Sequence, residues 1–301
     1  MSKHRSLSLD LRSALVWPGY AQYPRVLVAE QDIAGVGVPR WQRLPLHVAQ
    51  TPVLGEDVRK RFHDPQGSTG FIMSERISAR MRDLNLEWLT RAADGRHLFG
   101  MRWLGERFFH LPGDMHAIQE LVWRTKPAGI VQTGIAAGGG VVYSASMLEL
   151  VGDDGIVVAV DPRLHEDVRL RLQSHRLAHR MRLIEGDSCA PATVQAVKDS
   201  LDGRSPVMVI LDLTHTHEHV LAELECYAEL VTPGSYVIVM DTIMEHLSAE
   251  MFAGKPYGKG NNPATAAQAF LARDARFEVD HEIEDQVIMT LSPDGFLRRV
   301  R

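Results

Sequence analysis

The fold of this chain is decided by one stretch, residues 129–140, which reads GIVQTGIAAGGG. An apolar run leads directly into a turn that contains Gly134 and the triplet 138–140. A short apolar run bounded by turn formers indicates a buried strand, and glycines after it allow a close approach of the backbone to a ligand or to the next helix. By itself such a turn is a weak signal, because many glycine-rich turns only connect two elements.

After residue 110 the same pattern recurs along the chain. Apolar runs alternate with helical stretches, which is typical of βαβ units and a parallel sheet. The last two expected strands are joined only by Asp280–Gln286, which is too short for a crossover helix, so we expect that pair to be antiparallel. The expected strands are Gly129–Thr133, Ile156–Val160, Met181–Glu185, Val207–Asp212, Tyr236–Met240, Phe277–Val279 and Val287–Leu291, with helices over about 138–150, 164–177, 190–201 and 216–231 and another that starts at Asn262-Pro263.

These elements predict an α/β fold, a doubly wound and mostly parallel seven-stranded sheet that ends in an antiparallel hairpin. The region before it differs, since short apolar runs alternate there with turn formers. We expect an N-terminal extension over 1–70 that forms a lid, an oligomer contact or a packing arm. A linking segment over 71–110 and a Rossmann-like domain over 111–301 follow. The linking segment contains an expected amphipathic helix over 71–93, based on Ile72, Ile77, Met81, Leu84 and Leu89.

Composition narrows the class of protein. The chain has 301 residues, of which 45% are hydrophobic and 24% charged, as in ordinary soluble globular proteins. Its formal net charge of −5 gives no reason to expect nucleic acid as a partner. Cys189 and Cys226 form no CxxC pair, so a reducing compartment fits best. Neither a signal peptide nor a membrane-spanning run is recognisable, and we expect a cytoplasmic protein.

In open α/β sheets, ligands bind beside the carboxyl ends of the strands, so the residues that follow each apolar run are the candidate site. Asp161 ends the second strand, where a carboxylate can accept both hydroxyls of a ribose, or can cap the helix that follows Pro162. Asp187 and Ser188 follow the third strand, where they either reach an adenine edge or cap the helix near Pro191. Both interpretations remain open for these positions.

The fourth strand ends in the most informative run, LDLTHTHEHV over residues 211–220. A carboxylate at the strand end, Asp212, and a histidine three residues later, His215, can serve a divalent cation and a nearby general base. His215 is preferred as the base because the two later histidines are expected on the following helix. Asp241 follows the fifth strand beside Asp212, and two neighbouring carboxylates favour a divalent cation. Capping of the next segment is the alternative for Asp241.

Together, these motifs resemble those of the cephalosporin hydroxylase family, which also includes rhamnosyl O-methyltransferases. The resemblance covers about residues 103–300, and the ordered set is more specific than any one motif. It implies a methyltransferase fold, an S-adenosylmethionine site and a tendency to form homo-oligomers. The motifs are Trp103-Leu104-Gly105, Leu111-Pro112-Gly113-Asp114, Gln119-Glu120, Thr133-Gly134, Asp161, Gly186-Asp187-Ser188, Asp212-x-x-His215-x-His217-x-His219-Val220, Pro233-Gly234-Ser235-Tyr236 and Asp241-Thr242.

The resemblance also implies roles for the strand-end residues. The residues that follow the first three strands are expected to bind the cofactor. The residues that follow the fourth and fifth strands are expected to bind a magnesium ion and to contact the reacting groups. The expected cofactor-binding residues are Gln132, Thr133, Gly134, Gly138, Asp161, Asp187 and Ser188, the expected magnesium ligands are Asp212 and Asp241, and the expected catalytic residues are His215, as the base, and Asp212.

Four positions depart from the family's usual pattern, and each departure removes a charge or a hydrogen-bonding group. Met240 offers a thioether, which is a poor ligand for a hard dication such as magnesium. We therefore expect magnesium binding to be weakened or lost unless Glu245 or His246 substitutes as a ligand. Gln132 can still accept a hydrogen bond but has no negative charge to oppose a sulfonium. The departures are Gln132 for Glu, Ala137 for His, Gly140 for Ser, and Met240 for the Glu of a Glu-Asp metal pair.

The expected function is O-methyl transfer from S-adenosylmethionine to a hydroxyl of a sugar or other small natural product, with His215 as the proton acceptor. The departures leave two alternatives. One is a methyltransferase fold repurposed for a non-methylating reaction such as a cyclisation or rearrangement. The other is an accessory protein that assists a partner enzyme. The expected partners are a small-molecule substrate and further copies of the chain, with neither nucleic acid nor a membrane.

Overall fold

A computed structural model describes residues 25–29, 41–45, 79–94, 100–287 and 289–301. The chain divides into two compact units, Met1–Phe71 and Ile72–Arg301. In the first unit, the described residues form two antiparallel strands, β1 (Arg25–Ala29) and β2 (Trp41–Pro45). The expected helix over 71–93 is observed as α1 (Ala79–Asp94), and its first eight positions lie outside the described residues. The roles of 1–70 and the three-part division stay predictions.

The second unit alternates helices and strands as the sequence predicts. None of its described helices is long and apolar enough to cross a membrane. After α1 its elements are β3 (Arg102–Trp103), β4 (Glu106–Arg107), α2 (Pro112–Thr125), β5 (Gly129–Thr133), α3 (Gly139–Val151), β6 (Ile156–Asp161), α4 (Glu166–Ser174), β7 (Met181–Glu185), α5 (Pro191–Leu201), β8 (Val207–Leu211), α6 (His217–Tyr227), β9 (Tyr236–Val239), α7 (Pro263–Leu271), β10 (Phe277–Val279), α8 (His281–Val287) and β11 (Phe296–Arg299).

Strands β5 to β11 form one seven-stranded sheet in the order β10-β11-β9-β8-β5-β6-β7. The five strands β5 to β9 are parallel, and β5 lies between β6 and β8. Only β11 runs antiparallel to its neighbours β9 and β10. The predicted fold class is therefore confirmed. The strand order reverses at β5, and ligands of doubly wound sheets bind at that switch point, beyond the carboxyl ends of the strands.

The last strand does not lie where the sequence placed it. Val287–Leu291 was expected to pair with β10, but the connection contains α8 and the final strand is β11. The reason lies in a buried carboxylate on another element. Asp114, at the start of α2, accepts hydrogen bonds from the backbone nitrogen of Leu291 at 3.0 Å and from the Thr290 hydroxyl at 2.5 Å. The backbone nitrogen of Leu291 is therefore bonded to a side chain instead of to a neighbouring strand.

The core consists of two layers of helices on the two faces of the sheet. Along β8, Met208 and Ile210 pack with α2 and α3, whereas Val209 and Leu211 pack with α5, α6 and α7. The central strands are thus buried on both faces, which explains why they read as continuous apolar runs. This packing fixes the carboxyl ends of β5, β6, β8 and β9 relative to one another.

The turn after β5 lies directly against the backbone that follows β8. Gly134 has a φ of +87°, in the left-handed region, and a Cβ at this position would overlap the carbonyl oxygen of Asp212. Its backbone nitrogen donates to the carbonyl of Val160 at 2.8 Å. Glycine is therefore required here for two reasons, the backbone conformation and the close approach.

Gly134→Ala and Gly152→Ala separate these two reasons. Gly152 has a φ of +91°, but a Cβ there would meet nothing within 4 Å. We expect Gly152→Ala to lower the free energy of unfolding by about 1–2 kcal/mol, the cost of the left-handed conformation alone. Gly134→Ala should cost more than about 4 kcal/mol, because the clash adds to it. Urea unfolding followed by circular dichroism measures both, and equal losses would contradict the packing described here.

Candidate active site

The turn after β5 is held by the carboxylate that ends β6. Asp161 Oδ2 accepts hydrogen bonds from the backbone nitrogens of Ile135 at 2.9 Å and Ala136 at 3.3 Å, and Oδ1 accepts one from Arg163 at 2.9 Å. The next helix, α4, has His165 as its N-cap, so Asp161 does not cap it. An ionised carboxylate offers about four acceptor positions. Asp161 can therefore accept a further hydrogen bond from a ligand.

Gln132 lies buried beneath the same turn. Its Nε2 donates to the carbonyl of Gly134 at 3.2 Å, and its Oε1 accepts from the Ser144 hydroxyl on α3, also at 3.2 Å. A Cβ at Gly140 would lie 2.7 Å from Gln132 Nε2. Two departures from the family pattern, Gln132 and Gly140, are therefore neighbours in space. Through these two hydrogen bonds, the buried side-chain amide of Gln132 connects the turn to α3.

Thr133 and Gly138 support the two ends of the turn. The carbonyl and the hydroxyl of Thr133 both face the backbone nitrogen of Asp212, at 3.1 and 3.4 Å. Gly138 has a φ of +96° and is the N-cap of α3, and its nitrogen donates to the carbonyl of Ile135 at 2.8 Å. The predicted residues 132, 133, 134 and 138 are thus brought together in one turn, where they set the shape of the backbone.

Asp187 and Ser188 face different surroundings after β7. Asp187 is exposed, and its Oδ1 accepts a hydrogen bond from the nitrogen of Cys189 at 3.0 Å. Ser188 is fully buried, with its hydroxyl 3.2 Å from His219 Nε2 and its carbonyl bonded to the Tyr227 hydroxyl at 2.6 Å. Helix α5 begins without a side-chain hydrogen bond at its N-cap. Asp187 is therefore accessible to a ligand, whereas Ser188 is turned into the protein.

Four side chains meet beyond the ends of β8 and β9. Asp212 follows β8, Asp241 follows β9, His215 lies in the loop before α6, and His110 precedes α2. His110 Nε2 lies 3.0 Å from Asp212 Oδ2, and His215 Nε2 lies 3.6 Å from Asp241 Oδ2. One ligand atom from each of Asp212, His215 and Asp241 lies within 4.8 Å of the other two. The structure thus brings the predicted catalytic and metal-binding residues together.

The charges of these groups depend on one another. The pKa of Asp241 is raised to about 6, chiefly by burial and also by the nearby Asp212, against the opposing effect of His215. Burial alone would lower the pKa of His110, but the hydrogen bond to Asp212 and the negative charge of that carboxylate outweigh burial and raise it. Two carboxylates held close together disfavour double ionisation, and a nearby imidazole relieves the repulsion.

His110 and Tyr257 belong to the site although the sequence did not predict them. His110 is only 6% exposed, and its ring packs edge-on against Phe108 with centroids 4.7 Å apart. It lies 102 residues from its partner Asp212 in the sequence, so no local spacing links the two. Tyr257 meets the ring of His215 edge-on, with centroids 5.2 Å apart. For His110, the only available signal was its position beside the motif that begins at Leu111.

The two residues proposed to replace the missing metal ligand do not do so. Glu245 Oε2 accepts hydrogen bonds from the nitrogen of Gly260 at 2.8 Å and from Asn262 Nδ2 at 2.6 Å. The bond from Gly260 is the main reason that the pKa of Glu245 is lowered. His246 is exposed and belongs to no metal-ligand cluster of the described residues. The carboxylate of Glu245 closes the loop before α7, and among the described residues no further carboxylate joins the cluster of Asp212, His215 and Asp241.

The two remaining histidines of the run lie on α6, as predicted. His217 Nδ1 lies 2.9 Å from the Thr265 hydroxyl, and His219 Nε2 lies 3.4 Å from Glu223 Oε1. Glu223 is fully buried, and within the described part of the chain neither of its oxygens has a hydrogen bond of ordinary geometry. Contact with this carboxylate raises the pKa of His219. His219 is therefore a structural partner of a buried acid.

His219→Gln and its control His217→Gln test this pairing through the pH dependence of stability. Because the folded protein raises the pKa of His219, the pair stabilises the fold below the unfolded value, about 6.5, and this stabilisation is lost as the pH rises through the folded pKa. We expect the stability difference between wild type and His219→Gln to shrink as the pH rises from about 6.5 through the folded pKa of His219. His217→Gln, whose imidazole contacts the Thr265 hydroxyl, is the matched control, and urea unfolding at each pH measures both differences. A constant difference for His219→Gln would contradict the pairing.

The sheet order and the strand-end cluster define a Rossmann-like methyltransferase fold. A sequence model of the family described as Rhamnosyl O-methyltransferase/CmcI matches residues 96–300. The chain belongs to this family. The resemblance predicted from the sequence is confirmed, and with it the expected class of enzyme, a methyltransferase.

Individual relatives agree with this assignment. The rhamnosyl O-methyltransferase of Mycobacterium tuberculosis (strain ATCC 25618 / H37Rv) is 29% identical over 194 residues, which cover 62% of this chain and 73% of that protein. The rhamnosyl O-methyltransferase of Mycobacterium leprae (strain TN) is 26% identical over 203 residues, which cover 65% and 82%. A solved structure described as CmcI-N160 in its apo form matches with a TM-score of 0.50 and 20% identity, covering 67% of this chain and 77% of that one. This structural match shows a shared fold.

Proposed function

We propose that the protein transfers the methyl group of S-adenosylmethionine to a hydroxyl of a sugar or other small natural product. The observation that carries the proposal is the placement of Asp161, Asp212, His215 and Asp241 beyond the carboxyl ends of one sheet, in a chain of this family. The relatives described above are named for methylation of a rhamnosyl group. A rhamnosyl hydroxyl is therefore the first acceptor to test.

The strand ends fit the nucleoside part of this cofactor. Asp161 has acceptor capacity left for a ribose hydroxyl, and Asp187 offers an exposed carboxylate at the next strand end. Asp212 and Asp241 add negative charge that suits a cationic sulfonium, a contribution that the neutral Gln132 does not make. These residues would hold the cofactor across the switch point at β5.

The same site fits a magnesium ion poorly. Magnesium prefers oxygen ligands in near-octahedral geometry, whereas the ligand cluster here contains two carboxylates and the imidazole of His215. Met240 offers a buried thioether in place of a third carboxylate. Asp212 and Asp241 therefore have another role in this chain, and no step of the reaction is assigned to a metal ion.

The chain itself supplies the proton acceptor. His215 directs Nε2 toward Asp241, so Nδ1 is the nitrogen that would accept the hydroxyl proton. Asp241 would stabilise the imidazolium that forms. The ring of Tyr257 packs against the same imidazole at nearly a right angle. When bound, S-adenosylmethionine supplies a methyl group whose bond to sulfur breaks as the acceptor oxygen bonds to carbon, which leaves a neutral thioether.

His215→Gln tests the proton acceptor. We expect turnover with p-nitrophenyl α-L-rhamnoside to fall about 10²- to 10⁴-fold, the usual contribution of a general base. The affinity for S-adenosylmethionine should stay unchanged, because His215 is placed on the acceptor side of the site. Mass spectrometry of the methylated product and calorimetric titration of the cofactor measure the two effects. His217→Gln is the matched control and should retain activity, since its imidazole contacts Thr265 on α7.

The outcomes separate the parts of the proposal. If the wild-type protein does not bind S-adenosylmethionine, the proposed function is wrong. If His215→Gln retains full turnover, only the assignment of His215 as the general base is wrong. Cofactor binding without methylation of any sugar or natural-product hydroxyl would favour the repurposed, non-methylating reaction. That reaction is the alternative suggested by the altered turn around Gln132 and Gly140.

A further inference from the structure

Each of the two site carboxylates has an imidazole as its partner. Asp212 Oδ2 lies 3.0 Å from His110 Nε2, and Asp241 Oδ2 lies 3.6 Å from His215 Nε2. The two histidines come from different parts of the chain, one before α2 and one after β8. His110 is nearly fully buried and packs against Phe108, so it does not leave Asp212 by a simple rotation into solvent.

Position 240, where the family usually has a third carboxylate ligand, holds a buried methionine whose sulfur already has a hydrogen-bond partner. Met240 immediately precedes Asp241, is 1% exposed, and its sulfur accepts a hydrogen bond from the Ser292 hydroxyl at 3.4 Å. Ser292 is itself fully buried in the segment before β11. The thioether is therefore held in the core. Even if it turned toward the carboxylates, a soft sulfur is a poor ligand for a hard dication.

The cluster offers magnesium two carboxylates and an imidazole, without the phosphate ligands that usually accompany such a pair. Magnesium loses its water reluctantly, and it is usually bound by one or two carboxylates together with several retained waters and substrate phosphates. Neither S-adenosylmethionine nor a sugar hydroxyl supplies a phosphate. On Asp212, moreover, the hydrogen bond with His110 competes with an ion for the lone pairs of Oδ2. The geometry and the ligand types therefore favour the imidazole partners over an ion.

We propose that this active site works without a divalent cation, and that His110 and His215 take the place of the ion as partners of Asp212 and Asp241. The inference rests on the proposed function for the reaction that the site performs. Its test by ion binding does not depend on that reaction. In this proposal, no ion binds because Met240 stands where the family usually has a glutamate.

Calorimetric titration of the full-length protein with MgCl₂ and with MnCl₂ tests the proposal, in metal-free buffer with and without S-adenosylmethionine. We expect no binding with a Kd below about 1 mM for either ion. The Kd of the cofactor should be the same in excess EDTA as in excess magnesium. Tighter ion binding that disappears in Asp241→Ala would overturn the proposal, as would cofactor binding that requires magnesium. Ion binding that survives unchanged in Asp241→Ala occurs elsewhere and agrees with the proposal.

Met240→Glu and Met240→Gln form a matched pair that tests the cause. Both side chains have similar size, but only Glu adds a third carboxylate. We expect Met240→Glu to bind magnesium at least about tenfold more tightly than the wild type, a gain of about 1.4 kcal/mol, and Met240→Gln to show no gain. Circular dichroism confirms that each variant is folded. A folded Met240→Glu that gains no magnesium binding would overturn the role of Met240.

The ion titrations test this inference, and the cofactor titrations test the proposed function, so either proposal can be contradicted without the other. Loss of cofactor binding in both EDTA and magnesium would contradict the methyltransferase proposal, while the ion titrations of the wild type would still decide this inference. Conversely, a cofactor-binding protein that also binds magnesium through Asp241 would keep the proposed function and lose the inference.

Discussion

The contact between Gly134 and the carbonyl of Asp212 is the constraint on which the site depends. Because Gly134 has no Cβ, the turn after β5 can lie directly against the backbone that follows β8. The hydrogen bonds between Thr133 and the nitrogen of Asp212 hold the two segments in this position. Asp161 fixes the same turn from the other side. The expected cofactor turn and the expected catalytic carboxylate therefore form one rigid unit.

Much of the fold and part of the site were predictable, because both follow from one periodic pattern. Buried parallel strands read as apolar runs, and their carboxyl ends coincide in space, so Asp161, Asp212 and Asp241 could be assigned to one edge of the sheet. The last strand was misplaced because the apolar segment before it is bonded to Asp114, which lies far away in the sequence. No local pattern reports such a contact.

The partners of the site residues were less predictable than the residues themselves. The sequence places His215 near Asp212, but Nε2 of His215 lies toward Asp241, and the nearest imidazole to Asp212 belongs to His110. The sequence suggested Glu245 as a substitute metal ligand, whereas its carboxylate closes a loop. These assignments depend on side-chain directions that only the packed structure determines. They are the basis on which we propose two imidazole–carboxylate pairs where the sequence suggested a metal centre.

We propose that a nucleoside cofactor lies across the switch point and faces two such pairs. A crystal structure of the protein with S-adenosylhomocysteine, grown in the presence of magnesium, tests this most directly. We expect ribose hydroxyls at Asp161, the sulfur on the side of Asp212 and Asp241, and no ion between these two carboxylates. A ligand bound elsewhere, or an ion that bridges the two carboxylates, would contradict it.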